Sequence, residues 1–249
     1  MSNSNTTPSP ATSLAEVLND LVVGNRILAK QDVVDVYGHL SVRHPHNPER
    51  YFLARSRAPG LVTLDDLIEY RLDNEPIDLR GRAQYAERAI HGSIYAERPD
   101  VQSVCHNHAP PLLPFSTTST PIQPIFHLGA VIGERIPIWD IRDEFGDTNL
   151  LVTRPDTGRS LAQALGPQRV ALMRGHGSVV VGRSVRESVY IAIQLQNNAK
   201  LQLEAMAMGK PKYLSPGEIE QASKIMLEPL SQNRSWELWA HEAGFPSAA

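Results

Sequence analysis

Two short segments far apart in the chain, His106-Asn107-His108 and Arg174-Gly175-His176-Gly177, set the strongest condition on how it can fold. Residues 101–106 form an apolar run that reads as a strand. Positions i and i+2 of a strand leave the same face, so His106 and His108 can turn both imidazoles toward one point. His176 stands between two glycines, where the lack of side chains lets the backbone enter a crowded site. An isolated His-x-His is as easily a solvated strand end; the glycine-framed third histidine tips the reading toward one divalent metal ion. Three imidazoles leave coordination positions open, as in a catalytic and not a structural centre. Such donors suit Zn2+, Mn2+ or Co2+.

A fold that meets this condition has to join the two segments through a sheet. Leu14, Val17, Leu18, Leu21, Val22, Ile27 and Leu28 recur at helical spacing. Short apolar runs at 39–43, 51–54 and 68–72 read as strands, residues 84–96 as a helix stopped by Arg98-Pro99-Asp100, and 149–152 as a further strand. Residues 110–124 are broken by proline and leave room for one short helix. A helix over 158–165 and strands over 170–173 and 178–181 follow. The longest helix begins at Ser184, with Glu187 completing a capping box, and ends at Gly209-Lys210-Pro211. Two more helices are expected over 216–227 and 235–242. Short connections beside helical crossovers predict an α/β fold, a mixed sheet covered by helices on both faces.

Bulk properties narrow the function. With 249 residues, 41% of them hydrophobic, the chain can bury a full core, and a single domain over 14–249 is expected. Its 24 Lys and Arg against 27 Asp and Glu leave no basic footprint for nucleic acid. The lone cysteine, Cys105, precludes an internal disulfide and suits a reducing cytoplasm. Residues 1–13 are polar and read as a disordered arm, and no apolar run is long enough to span a membrane.

Other residues carry competing readings. Glu87 precedes the His106 strand; a helix-to-strand reversal can bring it over the site as ligand or acid/base, although a solvated helix face is the plainer assignment. Cys105 points away from its neighbour His106 and reads as core filler. His44 and His46 lie in turn chemistry and read as a surface loop; His91 reads as helix packing, and His127 is undecided between loop residue and acid. Arg55 and Arg57 follow a strand in a loop, where the guanidinium fork suits a substrate carboxylate. Trp236 and Trp239, at helical spacing, read as packing or interface residues.

Glu87, His106-Asn107-His108 and Arg174-Gly175-His176-Gly177 before a long helix together resemble the class II aldolase and adducin superfamily, over residues 14 to about 210. The resemblance implies a three-layer α/β/α fold with a largely antiparallel central sheet. It also implies one divalent metal on His106, His108 and His176, Glu87 as acid/base, and a homotetramer with its sites near subunit interfaces. Its sugar-phosphate aldolases place asparagine where this chain has Gly38-His39-Leu40-Ser41. Their small hydroxyl and glycine loop is here Arg55-Ser56-Arg57-Ala58-Pro59-Gly60. A phosphate cradle is therefore dismantled, and His39, Arg55 and Ser56 are the candidates for an anionic aromatic substrate. This resembles the decarboxylase branch, acting on hydroxylated aromatic dicarboxylates. The alternatives are an aldolase or epimerase on another small substrate, favoured by an intact phosphate loop, and a non-catalytic adducin-like scaffold, favoured by an eroded histidine set.

Overall fold

In a computed structural model that describes residues 13–245, the polar arm expected over 1–13 lies outside the described residues except for Ser13. Ser13 starts helix α1 (Leu14–Lys30): its hydroxyl accepts from the Glu16 amide, while Glu16 takes the Ser13 N–H, a reciprocal capping box. The chain then builds β1 (His39–Arg43), β2 (Arg50–Ala54) and β3 (Leu67–Arg71), helix α2 (Ala89–Glu97) and strand β4 (Ser103–Asn107). Short helices α3 (Leu113–Thr117) and α4 (Ile141–Phe145) flank β5 (Ile138–Trp139); α5 (Pro155–Leu165), β6 (Val170–Met173) and β7 (Gly177–Gly182) follow. The long α6 (Val185–Met208), α7 (Pro216–Met226) and α8 (Pro229–Glu242) complete it.

The strands form one sheet in the order β3-β2-β1-β4-β7-β6-β5. Every pairing is antiparallel except β5 with β6. Strand alternation then divides the interior in two. Leu40 and Val42 of β1, Cys105 of β4 and Val180 of β7 face a core with Leu21, Ile27 and Leu28 of α1 and Val189 and Leu195 of α6. Val104 of β4 and Val179 and Val181 of β7 face the opposite core, filled by Ile90 and Ile94 of α2 and Leu161 and Leu165 of α5. This is the three-layer α/β/α arrangement with a mixed, largely antiparallel sheet that the resemblance implied. The helices α2 and α5 approach closely because Gly158 has no side chain; a Cβ there would fall 2.7 Å from the Ala89 carbonyl oxygen.

Three expectations are corrected. Residues 149–152 are not a strand: Leu150 has φ +67°, a left-handed conformation that ends any pleat, and the Val152 amide bonds a side chain instead of a neighbouring strand. The sheet edge is filled by β5, two residues long, too short to leave a periodic signal. The helix expected over 84–96 is also divided. Ala86–Arg88 is a 3-10 turn, Glu87 has non-helical φ −92° and ψ 23°, and the regular helix starts at Ala89. Proline explains why two later helices start earlier than expected, at Pro155 and Pro229, since a first-turn residue needs no amide hydrogen.

Candidate metal centre and active site

Antiparallel pairing of β4 with β7 puts His106 opposite Val179 and Asn107 opposite Ser178, so the turn before β7 carries His176 to the end of β4. That turn is tight. Gly175 has φ +64°, and a Cβ on Gly177 would fall onto the Asn107 carbonyl oxygen. The result is that His108 Nε2 lies 3.0 Å from His106 Nε2 and 3.1 Å from His176 Nε2. Glu87 joins from the kink before α2, its Oε2 3.6 Å from His106 Nε2 and 3.5 Å from His176 Nε2. One donor atom from each of the four residues lies within 4.8 Å of every other. The structure thus brings together His106, His108, His176 and Glu87, all singled out from sequence.

The outer partners of these rings decide what they offer to the centre. His106 Nδ1 lies 3.1 Å from the Ser178 carbonyl oxygen, and His108 Nδ1 3.1 Å from Asp35 Oδ2. A carbonyl and a carboxylate can only accept, so both Nδ1 atoms carry the hydrogen and both Nε2 lone pairs face inward. Lone pairs this close repel unless a cation or protons lie between them. Donors bonded at ~2.1 Å to one cation are separated by ~3.0–3.4 Å, between right-angled and tetrahedral geometry, so the observed spacing fits a divalent ion. The residues fit the metal that the resemblance implies. Among the described residues, His176 Nδ1 is buried without a partner.

Glu87 is held as a carboxylate. Burial alone would raise its pKa, but the His106 and His176 imidazoles 3.5–3.6 Å away outweigh burial and hold it well below the usual carboxylate range. Its Oε1 accepts the Val152 amide at 2.8 Å, so the unexpected loop 149–152 is what pins it. Burial lowers His106 below the ordinary histidine value.

A cavity of about 790 Å3 opens over these groups. His39, Ser56, Arg57, Tyr85 and Leu150 are among the side chains that wall it. Arg55 is not among them. Its Nε donates to Asp66 at 2.6 Å, and Arg57 Nη1 reaches the same oxygen at 3.2 Å. Asp66 also accepts from the Thr63 amide and hydroxyl, so one buried carboxylate orients both arginines while only Arg57 reaches the cavity. The Tyr85 hydroxyl donates to the Arg57 carbonyl, which fixes the loop further. His39 is 2% exposed and lies between Tyr85 and His106, its ring tilted about 45° to each.

Sequence reasoning missed Asp35 and Asp66, which act through other side chains and have no motif of their own. It also missed that His91 is fully buried and bonded to Ser41 and His39. Cys105 is buried in the α1/α6 core with its thiol pushed up to about 12 by burial, which leaves it inert. His44 stacks on Phe52 and His127 is exposed, neither on the cavity wall. Trp236 packs beneath the Arg186 guanidinium, and Trp239 against Tyr190. A cavity of about 830 Å3 lies at the opposite end of β4 and β7, but Arg98 and Arg183 on its wall are already paired with Asp100 and Glu187. No described helix is long and apolar enough to cross a membrane.

Comparison with known proteins agrees with this geometry. A family model described as the class II aldolase and adducin N-terminal domain matches residues 19–203. Decarboxylase tropJ of Talaromyces stipitatus is 36% identical over 243 residues, covering 89% of this chain and 91% of its own. The 3,4-dihydroxyphthalate decarboxylase of Arthrobacter keyseri is 28% identical over 194 residues, 74% of this chain and 76% of that one. Among solved structures, the L-fuculose 1-phosphate aldolase from Glaciozyma antarctica superposes with a TM-score of 0.78 at 24% identity, over 96% of this chain and 93% of that one, a likeness of fold.

Proposed function

Because the chain belongs to the class II aldolase and adducin family, we propose that it is a divalent-metal-dependent decarboxylase of a small hydroxylated aromatic dicarboxylate. The observation that carries this reading is the convergence of three imidazole nitrogens and the Glu87 carboxylate at the floor of a cavity walled by His39 and Arg57. His106, His108 and His176 hold one cation, Mn2+ or Zn2+ before Co2+. When bound it acts as a Lewis acid that accepts charge as the carbon–carbon bond breaks.

The remaining steps belong to the chain. Arg57, braced by Asp66, offers a forked donor to a carboxylate. Ser56 at the cavity rim offers a hydroxyl. Loss of carbon dioxide leaves an electron pair on a ring carbon, which has to take up a proton. Glu87 enters the reaction ionised, so any proton it returns to that carbon comes from the substrate, whose ring hydroxyl is the available source. Of the acid/base roles open to Glu87, this leaves that of a carboxylate that borrows a proton and returns it. Arg55 supports Asp66 in this reading and does not bind substrate itself.

The substrate placed first is 3-hydroxy-2-methylpyridine-4,5-dicarboxylate, for the character of residues 14–57; 3,4-dihydroxyphthalate, named in a relative, is the comparator. Val36 and Tyr37 are 59% and 71% exposed at the cavity mouth, and a homotetramer that covers this lip is part of the reading. The test is carbon dioxide release from a panel of hydroxyaromatic dicarboxylates, with metal analysis on the same preparation. Release that tracks metal content is the expected result. Turnover of a sugar phosphate, with no release from any dicarboxylate, overturns the reading in favour of an aldolase.

A further inference from the structure

Behind the cavity wall a chain of side chains runs from α2 through β1 to His39. The Tyr95 hydroxyl lies 2.8 Å from Ser41 Oγ, Ser41 Oγ 2.6 Å from His91 Nδ1, and His91 Nε2 2.6 Å from His39 Nδ1. All four groups are buried, Tyr95 at 1% exposure, Ser41 and His91 at 0% and His39 at 2%. Burial favours the neutral form of each ring. The chain then holds four hydrogens, one on each group, and three links to place them in. The hydrogen left over emerges at one end or at Ser41, where it would be buried with no further acceptor among the described residues.

The two ends are not alike. Among the described residues Ser41 is the one acceptor within reach of the Tyr95 hydroxyl, the nearby Val104 amide being a donor only, so a hydrogen left there is sealed in the core without an acceptor. At the other end His39 Nε2 has no partner among the described residues, and the ring lies on the wall of the cavity. Running the bonds from tyrosine toward histidine satisfies every buried group: Tyr95 donates to Ser41, Ser41 to His91 Nδ1, and His91 Nε2 to His39 Nδ1. The reverse direction strands one hydrogen in the core.

We propose that Tyr95, Ser41 and His91 form a one-directional hydrogen-bond chain that fixes His39 as an Nε2–H donor aimed into the cavity, there to bind an acceptor oxygen of the substrate. His91, Ser41 and Tyr95 are positioning residues in this arrangement, since only His39 touches the ligand. The site so built selects ligands that present a carboxylate or other acceptor oxygen at this wall, and rejects those that present an N–H or a cation. The proposal deepens the decarboxylase reading and rests on it for the identity of the ligand, but the donor state of His39 stands apart from it.

The experiment separates the two. In protein loaded with diamagnetic Zn2+ and labelled with 15N in histidine, two-bond 1H–15N spectra report which nitrogen of His39 carries the hydrogen, with His39→Gln for assignment. The expected result is the Nε2–H tautomer, read without any substrate. The Nδ1–H tautomer overturns the proposal and leaves the reaction untouched. In the second arm, His91→Leu should lower kcat/KM by about tenfold or more at unchanged metal content, as loss of an orienting partner does. His91→Gln, which keeps a donor at the position of Nε2, should recover most of it. A leucine variant as active as the unsubstituted chain, or a glutamine variant no better than leucine, contradicts the proposal. If the leucine variant fails to fold, the spectrum of the unsubstituted chain decides alone.

Discussion

The three imidazoles of the proposed metal centre are held from behind by unlike partners: a backbone carbonyl for His106, a half-exposed carboxylate for His108, and, among the described residues, none for His176. That inequality predicts a ranking. His106→Ala and His176→Ala should each lose bound metal and activity together, whereas Asp35→Ala should keep the metal at roughly 10- to 100-fold weaker affinity. Chelator competition measures both, and a fully active, metal-free His106→Ala protein would falsify the metal centre. The two arginines are also unequal. Arg57→Ala removes a donor from the cavity wall and should raise KM by roughly tenfold or more, the order of a hydrogen bond to a charged group. Arg55→Ala should act mainly through Asp66, with a smaller effect on KM. An equal rise in KM for both would place Arg55 at the substrate after all. At this scale the sequence was legible where a side chain touches the centre directly. The histidines follow from spacing and frame and Glu87 from the family resemblance, while Asp35, Asp66 and His91 act at one remove and depend on pairings no local pattern records.

Among the elements, the turn between β6 and β7 does the most to shape the site. Gly177 sits against the Asn107 carbonyl, so Gly177→Ala must push β7 away from β4 or distort the turn that carries His176. The expected cost is about 1–3 kcal/mol, the order of an overpacked interior. It should be seen as a Tm lowered by several degrees together with weaker metal retention. An alanine variant with unchanged Tm and metal affinity would mean that the strand pair has slack. The long amphipathic helices and the central strands were readable because their periodicity extends over several turns or alternations. Where the reading failed, a single tertiary contact had overruled local pattern. Leu150 adopts φ +67° and Val152 gives its amide to Glu87, turning an apolar run into a clamp. Glu87 itself breaks the helix expected over 84–96, which is how its carboxylate comes to face the histidines.

For the molecule as a whole, buried histidines make acid the vulnerable side. Burial, with His106 nearby, brings His91 down to about 3, against about 6.5 in an unfolded chain. Between those values the unfolded state binds a proton that the folded state does not. This contribution is therefore intact above pH ~6.5 and is lost as the pH falls toward 3. Asp66 adds a second window. Burial would raise it, but Arg55, Thr63 and Arg57 bring it to about 2, so its contribution of about 2 kcal/mol is present above pH ~4 and lost below. Urea unfolding of the chelator-treated protein from pH 7 to 3 should show stability falling throughout, with Asp66→Asn flattening only the acid end. Constant stability between pH 7 and 4 would contradict the assignment of a buried neutral His91.

The adjacency of β4 and β7 has one more consequence, in time and not in space. His108 and His176 are 68 residues apart, and the sheet order inserts no strand between the two that carry them to the centre. Closing so long a loop is slow, and contacts of this range form after local helices and hairpins. During synthesis His106 and His108 leave the ribosome well before their third partner exists, so the early chain offers a cation only two imidazoles and holds it weakly. On the proposed reading, metal is captured once the sheet has closed. An ion bound there would act as a latch on a finished structure, lengthening the lifetime of the folded state while leaving the speed of folding to the protein alone.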